Sequence, residues 1–414
     1  MVKPAKIKYI NGDKSNGILI DWQRVRKEYD KVLAAASKRL GTDCTQWHDP
    51  LKCDFGVVGY SVDLSDRSRG KTTNKLLVGL ILYLMYGIHL HYLRYKEKQC
   101  EPRNIRNLYD VILSGGYIED MTGGKYNSIS YKGKRWRLCL VDELEGDVLE
   151  TDPDHCCICL GIDEAPELKS IYNDTVGDMI FFDEFITTAY GYDDFINFTD
   201  LCKTIIRDRK GPVIYMSANT INRQSPWFDE FGIREIMQTL QPGKPVTIST
   251  DLGTHLYIEI LTPDTSEKRE TVNRRFWGFD NPRLNALTGR GEWATEFYQH
   301  IPKRDEEHPE RVLLGTVHIE QRGTLLRLQL VDHPVLGIAV FVMPATRLHE
   351  DSIIFSGGEL HDKRYIWGFG KGTELEIIWE MYARGRFWYA TNGCGQIVKS
   401  YVSYVSSLIA ARRR

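Results

Sequence analysis

Residues 55–88 read FGVVGYSVDLSDRSRGKTTNKLLVGLILYLMYGI and contain the transition that decides the fold. The run 55–62 is rich in β-forming residues and predicts a strand, whereas 76–88 is almost wholly apolar and predicts a helix. A polar turn joins the two. A strand, a loop and a helix in this order begin a βαβ unit, so the sequence predicts an α/β domain with a mainly parallel sheet.

The apolar stretch 76–88 is too short to span a bilayer. It ends before His89 and His91, well short of the roughly 20 apolar residues that a membrane-spanning helix needs. A helix buried on all sides within an α/β domain has the same composition. The first residues, MVKPAKIKYINGDKSNG, hold no apolar segment typical of a signal peptide. We therefore expect no membrane partner.

The turn SDRSRGKTT at residues 65–73 matches the second half of the phosphate-loop pattern. Backbone N–H groups and the helix N-terminus of such a loop bind phosphate. We expect Lys71 to contact the β- and γ-phosphates of ATP and Thr72 to bind Mg²⁺. The first glycine of the full pattern is replaced by Ser65, and a bare Gly-Lys-Thr also occurs by chance. The predicted ATP-binding residues are Ser65, Arg67, Ser68, Arg69, Gly70, Lys71, Thr72 and Thr73.

A pair of carboxylates follows a second apolar strand, predicted at 179–182. Asp183 is expected to hold Mg²⁺ through its water shell. Glu184 is expected to orient and deprotonate the attacking water, because phosphoryl transfer needs a positioned nucleophile. An acidic turn at a strand end is the alternative explanation. The order of the two motifs along the chain favours an ATPase.

Polar residues also surround a third apolar strand, predicted at 212–216. Ser217 and Asn219 follow it, where ATPases with an extra strand between their two nucleotide-binding strands sense the γ-phosphate or the water; a capped polar turn looks the same. Arg207 and Arg209 precede it. A guanidinium here would neutralise the phosphoryl group of a neighbouring subunit, unless it only ends a solvated helix.

These motifs carry a family resemblance. The loop 66–73 resembles the deviant Walker A loop of viral terminase motors, which also lacks the first glycine and carries an arginine at the position of Arg67. Together with 180–186, 206–209 and 217–219, it resembles the DNA-encapsidation ATPases of small tailed phages that package with the help of a structural RNA. Lesser similarities lie at 93–96, 132–135 and 169–170. The resemblance covers about 55–262 and is faint beyond.

The resemblance implies an ASCE-type P-loop ATPase that uses ATP and Mg²⁺ to move double-stranded DNA into a preformed capsid. It implies a homo-oligomeric ring, a pentamer, at the portal vertex of the procapsid in the host cytoplasm, with DNA, the portal connector and a packaging RNA as partners. Arg207 would be the arginine finger acting in trans, with Arg209 as the alternative. Lys169, aligned with a one-residue insertion, and Lys96 would be further trans contacts, and Ser217 and Asn219 would form the coupling motif.

The residue composition of the sequence changes after residue 262. We predict an N-terminal extension at 1–50, the ATPase domain at 51–262, a linker at 263–311 and a smaller α+β domain at 312–414, which the resemblance implies is RNase H-like. Active terminase nucleases hold two metal ions with carboxylates, the first in the middle of the leading strand. The strand 324–331 is taken as that strand and has no acid; Asp332 falls at its turn.

We therefore expect a vestigial nuclease fold without cleavage activity. Its basic residues are candidates for RNA or DNA contacts, although ordinary surface charge explains them equally well: Arg322, Arg327 and Arg347. The alternatives that remain are a terminase large subunit with an active C-terminal endonuclease, and a scaffold that binds ATP without hydrolysing it. A helicase is less attractive because we find no second recombinase-like core.

Charge and cysteines set two further limits. The chain has 54 Lys and Arg against 56 Asp and Glu, so its net charge does not favour nucleic acid. Any binding to nucleic acid must therefore come from local basic patches. The nine cysteines include Cys156, Cys157 and Cys159 next to His155. Structural zinc ligands normally come as two spaced pairs, and no second pair follows. We predict buried strand thiols in a reducing compartment.

Overall fold

The computed structural model describes residues 1–414 except 42, 45–46, 56, 66–68, 170–171, 173–178, 188–189, 192, 220–222, 224, 263–297, 303–310, 322, 349, 359 and 412–414. The chain forms two compact units. The first consists of Met1–Phe185, Asp193–Ile221 and Leu240–Thr265, and the second of Ile186–Tyr192, Asn222–Thr239 and Ser266–Arg414. The predicted N-terminal extension lies in the first unit, and most of the predicted linker lies outside the described residues.

The elements of the first unit alternate between helices and strands over most of its length. In chain order they are α1 (Trp22–Leu40), β1 (Tyr60–Leu64), α2 (Lys71–Tyr86), β2 (Leu90–Arg94), α3 (Pro102–Ile105), α4 (Asp110–Ser114), α5 (Tyr117–Thr122), β3 (Ser128–Lys132), β4 (Arg135–Val141), β5 (Val148–Thr151), β6 (Cys157–Gly161), α6 (Ala165–Leu168), β7 (Met179–Asp183), α7 (Asp194–Ile206), β8 (Val213–Ala218), β9 (Val246–Ser249) and β10 (His255–Ile260).

Within the described residues these strands form one ten-stranded sheet in the order β3-β4-β6-β2-β7-β8-β1-β10-β9, with β5 paired to β4. The strands from β6 to β10 along this order are parallel, and the outer ones are antiparallel. Strand β8 therefore lies between β1 and β7. This confirms the predicted α/β fold with a mainly parallel sheet, and β8 is an extra strand between the two strands whose ends carry the predicted site residues.

Helices α1 and α2 show why the first 90 residues fold together. The Asp21 side chain caps α1 by accepting a hydrogen bond from the backbone N–H of Arg24. The buried positions Val25 and Tyr29 are spaced as one helix face and join the same apolar cluster as α2. Helix α2 is buried over most of its length, as its sequence predicts. No helix in the described parts of the chain is long and apolar enough to cross a membrane.

The strand bounds differ from the sequence predictions in two informative places. Strand β1 begins at Tyr60 rather than at residue 55, and β8 extends to Ala218, so Ser217 lies within the strand instead of after it. The cysteine run lies on β6 as predicted: Cys157 and Cys159 belong to that strand. All nine cysteines are among the described residues, and they are buried and form no disulfide. Burial also raises the pKa of the Cys156 and Cys159 thiols well above the usual value.

The second unit holds a six-stranded sheet in the described part of the chain. Its strands are β11 (Val312–Gln321), β12 (Thr324–His333), β13 (Gly337–Pro344), β14 (Ile354–Ser356), β15 (Tyr365–Trp367) and β16 (Phe387–Tyr389), and their order is β15-β14-β11-β12-β13-β16. The hairpin strands β11, β12 and β13 are antiparallel, and β14, β15 and β16 join in parallel pairs. Its helices are Pro226–Glu230, Arg234–Thr239, Glu376–Ala383 and Asn392–Ala411.

The assignment of the leading strand of this sheet was wrong. The strand taken as first, 324–331, is part of β12, and β11 precedes it with Glu320 near its end. Strand β11 covers the run VLLGTVHIEQ, and its pairing with β12 has an irregularity between Leu313 and Gly315. Of the basic candidates, Arg322 lies outside the described residues, and Arg327 and Arg347 are exposed.

Candidate nucleotide site

Three neighbouring strands of the first unit align polar side chains at one edge of the sheet. Asp63 of β1 pairs in register with Ser217 of β8, and Ser217 pairs with Asp183 of β7. Because parallel strands present their carboxyl ends at the same edge, residues from three distant parts of the sequence meet there. Open α/β sheets bind ligands at this edge.

Gly70 shapes the start of α2 beside this edge. It is the N-cap of the helix with φ 69° and ψ 10°, a left-handed conformation that favours glycine. A Cβ atom at this position would lie 2.8 Å from Trp47, so the close approach also requires glycine. Of the other predicted loop residues, Ser65 is fully buried, Arg69 accepts a backbone hydrogen bond from His48, and Thr73 is half-buried; Arg67 and Ser68 lie outside the described residues.

The Lys71 ammonium group is held at the sheet edge by two oxygens. It donates to the hydroxyl of Ser65 and, at 2.9 Å, to Oδ1 of Asn219. The side chain is nearly inaccessible, with 5% of the residue exposed. Burial lowers the pKa of Lys71 to about 8, because desolvation disfavours the charged form. The residue therefore loses its charge closer to neutral pH than an ordinary lysine does.

Thr72 and Asp183 come together on the same side. The Thr72 hydroxyl lies 3.3 Å from each carboxylate oxygen of Asp183. A hydroxyl and a carboxylate are oxygen ligands of the type that Mg²⁺ prefers, with phosphate oxygens and water completing its shell. The donor set therefore fits the metal that the sequence predicts. Asp183 is 7% exposed, so its charge is shielded from bulk water.

Glu184 follows in an unusual backbone conformation. Its φ is 57°, a region that residues other than glycine rarely adopt. The amide of Asn219 donates a hydrogen bond to Oε1 of Glu184. Because the same Asn219 side chain accepts from Lys71, it links the phosphate-side cation to the carboxylate. Strained, over-determined backbone of this kind is concentrated at functional sites.

Arg94 is a site residue to which the sequence reasoning gave no role. It ends β2, the strand beside β7, and its guanidinium lies 3.4 Å from Asp183 Oδ2. Tyr92 donates to the same oxygen at 2.8 Å. The sequence offers one signal for Arg94, the same one that indicates the other site residues: it is a polar residue at the end of an apolar strand. It went unused because the neighbouring strands of β2 were unknown.

A buried ion pair lies beneath the site. Lys75, one helical turn after Lys71, contacts the Asp63 carboxylate, which also accepts a hydrogen bond from Ser217 at 2.9 Å. The Asp63 and Lys75 side chains are almost completely buried. Burial alone would raise the pKa of Asp63, but Lys75 and His48 hold it well below the usual range. The Ser217 hydroxyl thus links β8 to β1 at this edge of the sheet.

The structure does not place the predicted trans residues with the carboxylates of this chain. Arg207 follows the last turn of α7, with φ 52°, and donates to the backbone carbonyl of Tyr172 at 2.9 Å. Lys169 forms an exposed ion pair with Asp200 of α7 at 3.0 Å. Arg209, which follows α7, donates to the Ile205 carbonyl of that helix at 2.7 Å, and Lys96 Nζ lies 3.9 Å from Asp163. These described contacts of the four cations all join residues of the first unit.

No protein-family model matches this sequence, and no curated protein matches it. The fold does match solved structures. A chain of the bacteriophage Phi-29 viral genome packaging motor assembly aligns with a TM-score of 0.50 at 14% identity, covering 89% of this chain and 100% of that chain.

Two more similarities are weaker. A Phi-28 DNA packaging motor aligns with a TM-score of 0.46 at 15% identity, covering 89% of this chain and 97% of that one. The N-terminal domain of the DNA packaging ATPase from bacteriophage phi29 aligns with a TM-score of 0.39 at 18% identity, covering 53% and 98%. Because both TM-scores are below 0.5, no conclusion is based on these two alignments. The chain therefore shares its fold with a phage DNA-packaging motor protein.

Proposed function

We propose that this chain hydrolyses ATP to move double-stranded DNA into a viral capsid. The observation that carries the proposal is the meeting of Lys71, Thr72 and Asp183 with Glu184 and Asn219 at the carboxyl edge of the sheet. The shared fold with the Phi-29 packaging motor supports the choice of DNA packaging among ATP-driven processes.

We propose the following roles for these residues. Lys71 contacts the β- and γ-phosphates, and Thr72 and Asp183 hold Mg²⁺. When bound, Mg²⁺ neutralises charge that develops on the phosphate oxygens. Glu184 orients the attacking water and accepts its proton. Asn219 orients the Glu184 carboxylate by donating a hydrogen bond to it. When ATP binds, Lys71 exchanges its hydrogen bond to Asn219 for contacts with the phosphates.

Four predicted site cations lie outside this edge of the sheet, and a ring of subunits would give them a role. We propose that Arg207, with Arg209 as the alternative, acts on the nucleotide of a neighbouring subunit, and that Lys169 and Lys96 are further trans contacts. The contacts that these four cations make within a single chain are compatible with such roles, because a residue that acts in trans must lie away from the nucleotide site of its own subunit. The proposed ring is a pentamer at the portal vertex of the procapsid, in the host cytoplasm, with the portal and a packaging RNA as partners.

Loss of the catalytic carboxylate is the most direct test. DNA-stimulated ATP hydrolysis is expected to fall about 10²–10⁴-fold in Glu184→Gln, the usual contribution of general base catalysis. Lys71→Ala should abolish it by weakening nucleotide binding. The exposed Glu145 offers a matched control, Glu145→Gln, with unchanged turnover. Hydrolysis at wild-type rates in Glu184→Gln would contradict the role of Glu184. A wild-type chain that binds ATP but shows no single-turnover hydrolysis would instead favour a scaffold that only binds ATP.

For the second unit we propose a vestigial RNase H-like fold without cleavage activity. Three antiparallel strands followed by strands added in parallel suit that fold. Among the described residues of this unit, no three His, Cys, Asp or Glu side chains lie close enough to share one metal ion.

Glu320 on β11 favours the alternative, a terminase with a working endonuclease. Incubating plasmid DNA with the full chain and Mn²⁺ decides between the two. We expect no nicking beyond the buffer control. Nicking that disappears in Glu320→Gln would establish the endonuclease.

A further inference from the structure

Three side chains with metal-ligand chemistry meet at the opposite edge of the large sheet. His89 directly precedes β2, and Asp154 and His155 lie in the loop before β6. Their ligand atoms all lie within 4.8 Å of one another. None of these residues has a role in the proposed ATPase.

The sheet itself brings this cluster together. Strands β2 and β6 are parallel neighbours with Leu90 opposite Cys157, and the Leu90 N–H donates to the Cys156 carbonyl at 3.0 Å. The residues that come just before each strand therefore lie side by side. The two imidazole rings of His89 and His155 have centroids 4.0 Å apart.

The spacing suits a small divalent ion. Nε2 of His89 lies 3.2 Å from one carboxylate oxygen of Asp154, and Nδ1 of His155 lies 3.0 Å from the other. Zinc binds nitrogen and oxygen ligands at about 2.0–2.2 Å, which sets tetrahedral ligand atoms about 3.3 Å apart. Small side-chain adjustments would thus allow all three residues to bind one ion.

We propose that His89, Asp154 and His155 form a binding site for a divalent transition-metal ion of the zinc type. Two imidazoles and one carboxylate select such an ion over Mg²⁺, which prefers oxygen ligands. The Asp154 side chain is 55% exposed, so solvent water can supply the fourth ligand. His89 is buried, which keeps one ligand fixed.

The site is structural and separate from the nucleotide edge. The five residues of β2 span about 16 Å between the two edges, at about 3.3 Å per residue. A bound ion would join the beginnings of β2 and β6. Because it binds only the folded chain, it would raise the unfolding temperature by mass action.

The test is zinc binding to the metal-stripped full-length chain, measured by calorimetry and elemental analysis. We expect one Zn²⁺ per chain, retained in excess Mg²⁺, and a higher unfolding temperature with Zn²⁺ present. Affinity should fall at least about 100-fold in Asp154→Asn and in His155→Ala, because loss of a ligand costs more than loss of its supporting contacts.

His361→Ala, at an exposed histidine of the second unit, is the matched control and should bind Zn²⁺ normally. Asp154 is exposed, so Asp154→Asn should fold, which circular dichroism and unchanged ATP hydrolysis would verify. The proposal is overturned if the wild-type chain binds no Zn²⁺ at micromolar concentration, or if both variants bind it as the wild type does. In those cases the two imidazoles only donate hydrogen bonds to Asp154.

Discussion

The hydroxyl of Thr72 lies 3.3 Å from both carboxylate oxygens of Asp183, although the two residues are 111 positions apart in the sequence. Thr72 is the second residue of α2, and Asp183 is the last residue of β7. Strand β8 separates β7 from β1, the strand that leads into α2. The first prediction concerns this pair.

Removing either ligand should raise the Mg²⁺ requirement of hydrolysis. We expect Thr72→Val and Asp183→Asn each to increase the Mg²⁺ concentration for half-maximal rate by about tenfold or more, equal to roughly 1.4 kcal/mol. Thr72→Ser keeps the hydroxyl and should behave like the wild type. Thr151→Val, an exposed change on β5, controls for general effects. An unchanged Mg²⁺ dependence in Asp183→Asn would contradict the assignment.

Arg94 should compete with Mg²⁺ for Asp183. Its guanidinium lies 3.4 Å from the carboxylate, and both side chains are largely buried. We therefore expect Arg94→Gln to lower the Mg²⁺ concentration for half-maximal hydrolysis, measured by titration at saturating ATP. Arg103→Gln, at an exposed arginine paired with Glu101, should change nothing. Loss of hydrolysis with an unchanged Mg²⁺ requirement would show that Arg94 acts on the nucleotide instead.

The titration of Lys71 predicts how nucleotide affinity depends on pH. Burial lowers its pKa to about 8, so the free chain loses this positive charge as the pH rises through that value. ATP affinity should therefore decline between about pH 7 and 9, a range in which an ordinary lysine stays protonated. Fluorescent-nucleotide binding measures this. In Lys71→Arg the decline should disappear, because a guanidinium remains charged; a decline that persists would assign it to another group.

Removing one partner of the Asp63–Lys75 ion pair should strongly destabilise the first unit. Lys75→Met leaves a buried, uncompensated carboxylate and should lower the free energy of unfolding by about 3–5 kcal/mol in urea denaturation. The double variant Asp63→Asn with Lys75→Met should recover part of this. Lys31→Met, at an exposed lysine, should stay within about 0.5 kcal/mol.

Acid should weaken the same pair. The pKa of Asp63 is lower in the folded chain than the unfolded value of about 3.9. Its contribution is therefore complete above that value and is lost as the pH falls towards the folded pKa. The double variant should lack this part of the acid dependence. Equal acid sensitivity of both proteins would contradict the assignment.

Subunit mixing tests the proposed trans action of Arg207. Rings of Arg207→Ala alone and of Glu184→Gln alone should be inactive. Mixed rings should regain part of the DNA-stimulated hydrolysis, because some interfaces then combine an intact Glu184 with a neighbour's intact Arg207. Sedimentation would verify that the variants assemble. Mixed rings that assemble without regaining activity would exclude the trans role.

Local sequence was sufficient for the elements that local interactions define. The apolar run of α2 and the strands that end at Asp183 and near Ser217 all follow from composition and periodicity. The fold class followed from their order. The sequence did not identify β11 as the first strand of the second sheet, because its place is set by pairing with β12 and β14, which lie further along the chain.

The sequence by itself determined which residue types could serve an ATPase: a cation after a glycine, a hydroxyl beside it, and carboxylates at a strand end. Only the tertiary structure decided which of them meet. The order of the parallel strands joins Lys71 to Asn219 and adds Arg94 to Asp183, whereas Arg207 contacts Tyr172 and Lys169 contacts Asp200. Strand order depends on pairing between distant segments, which no local pattern encodes.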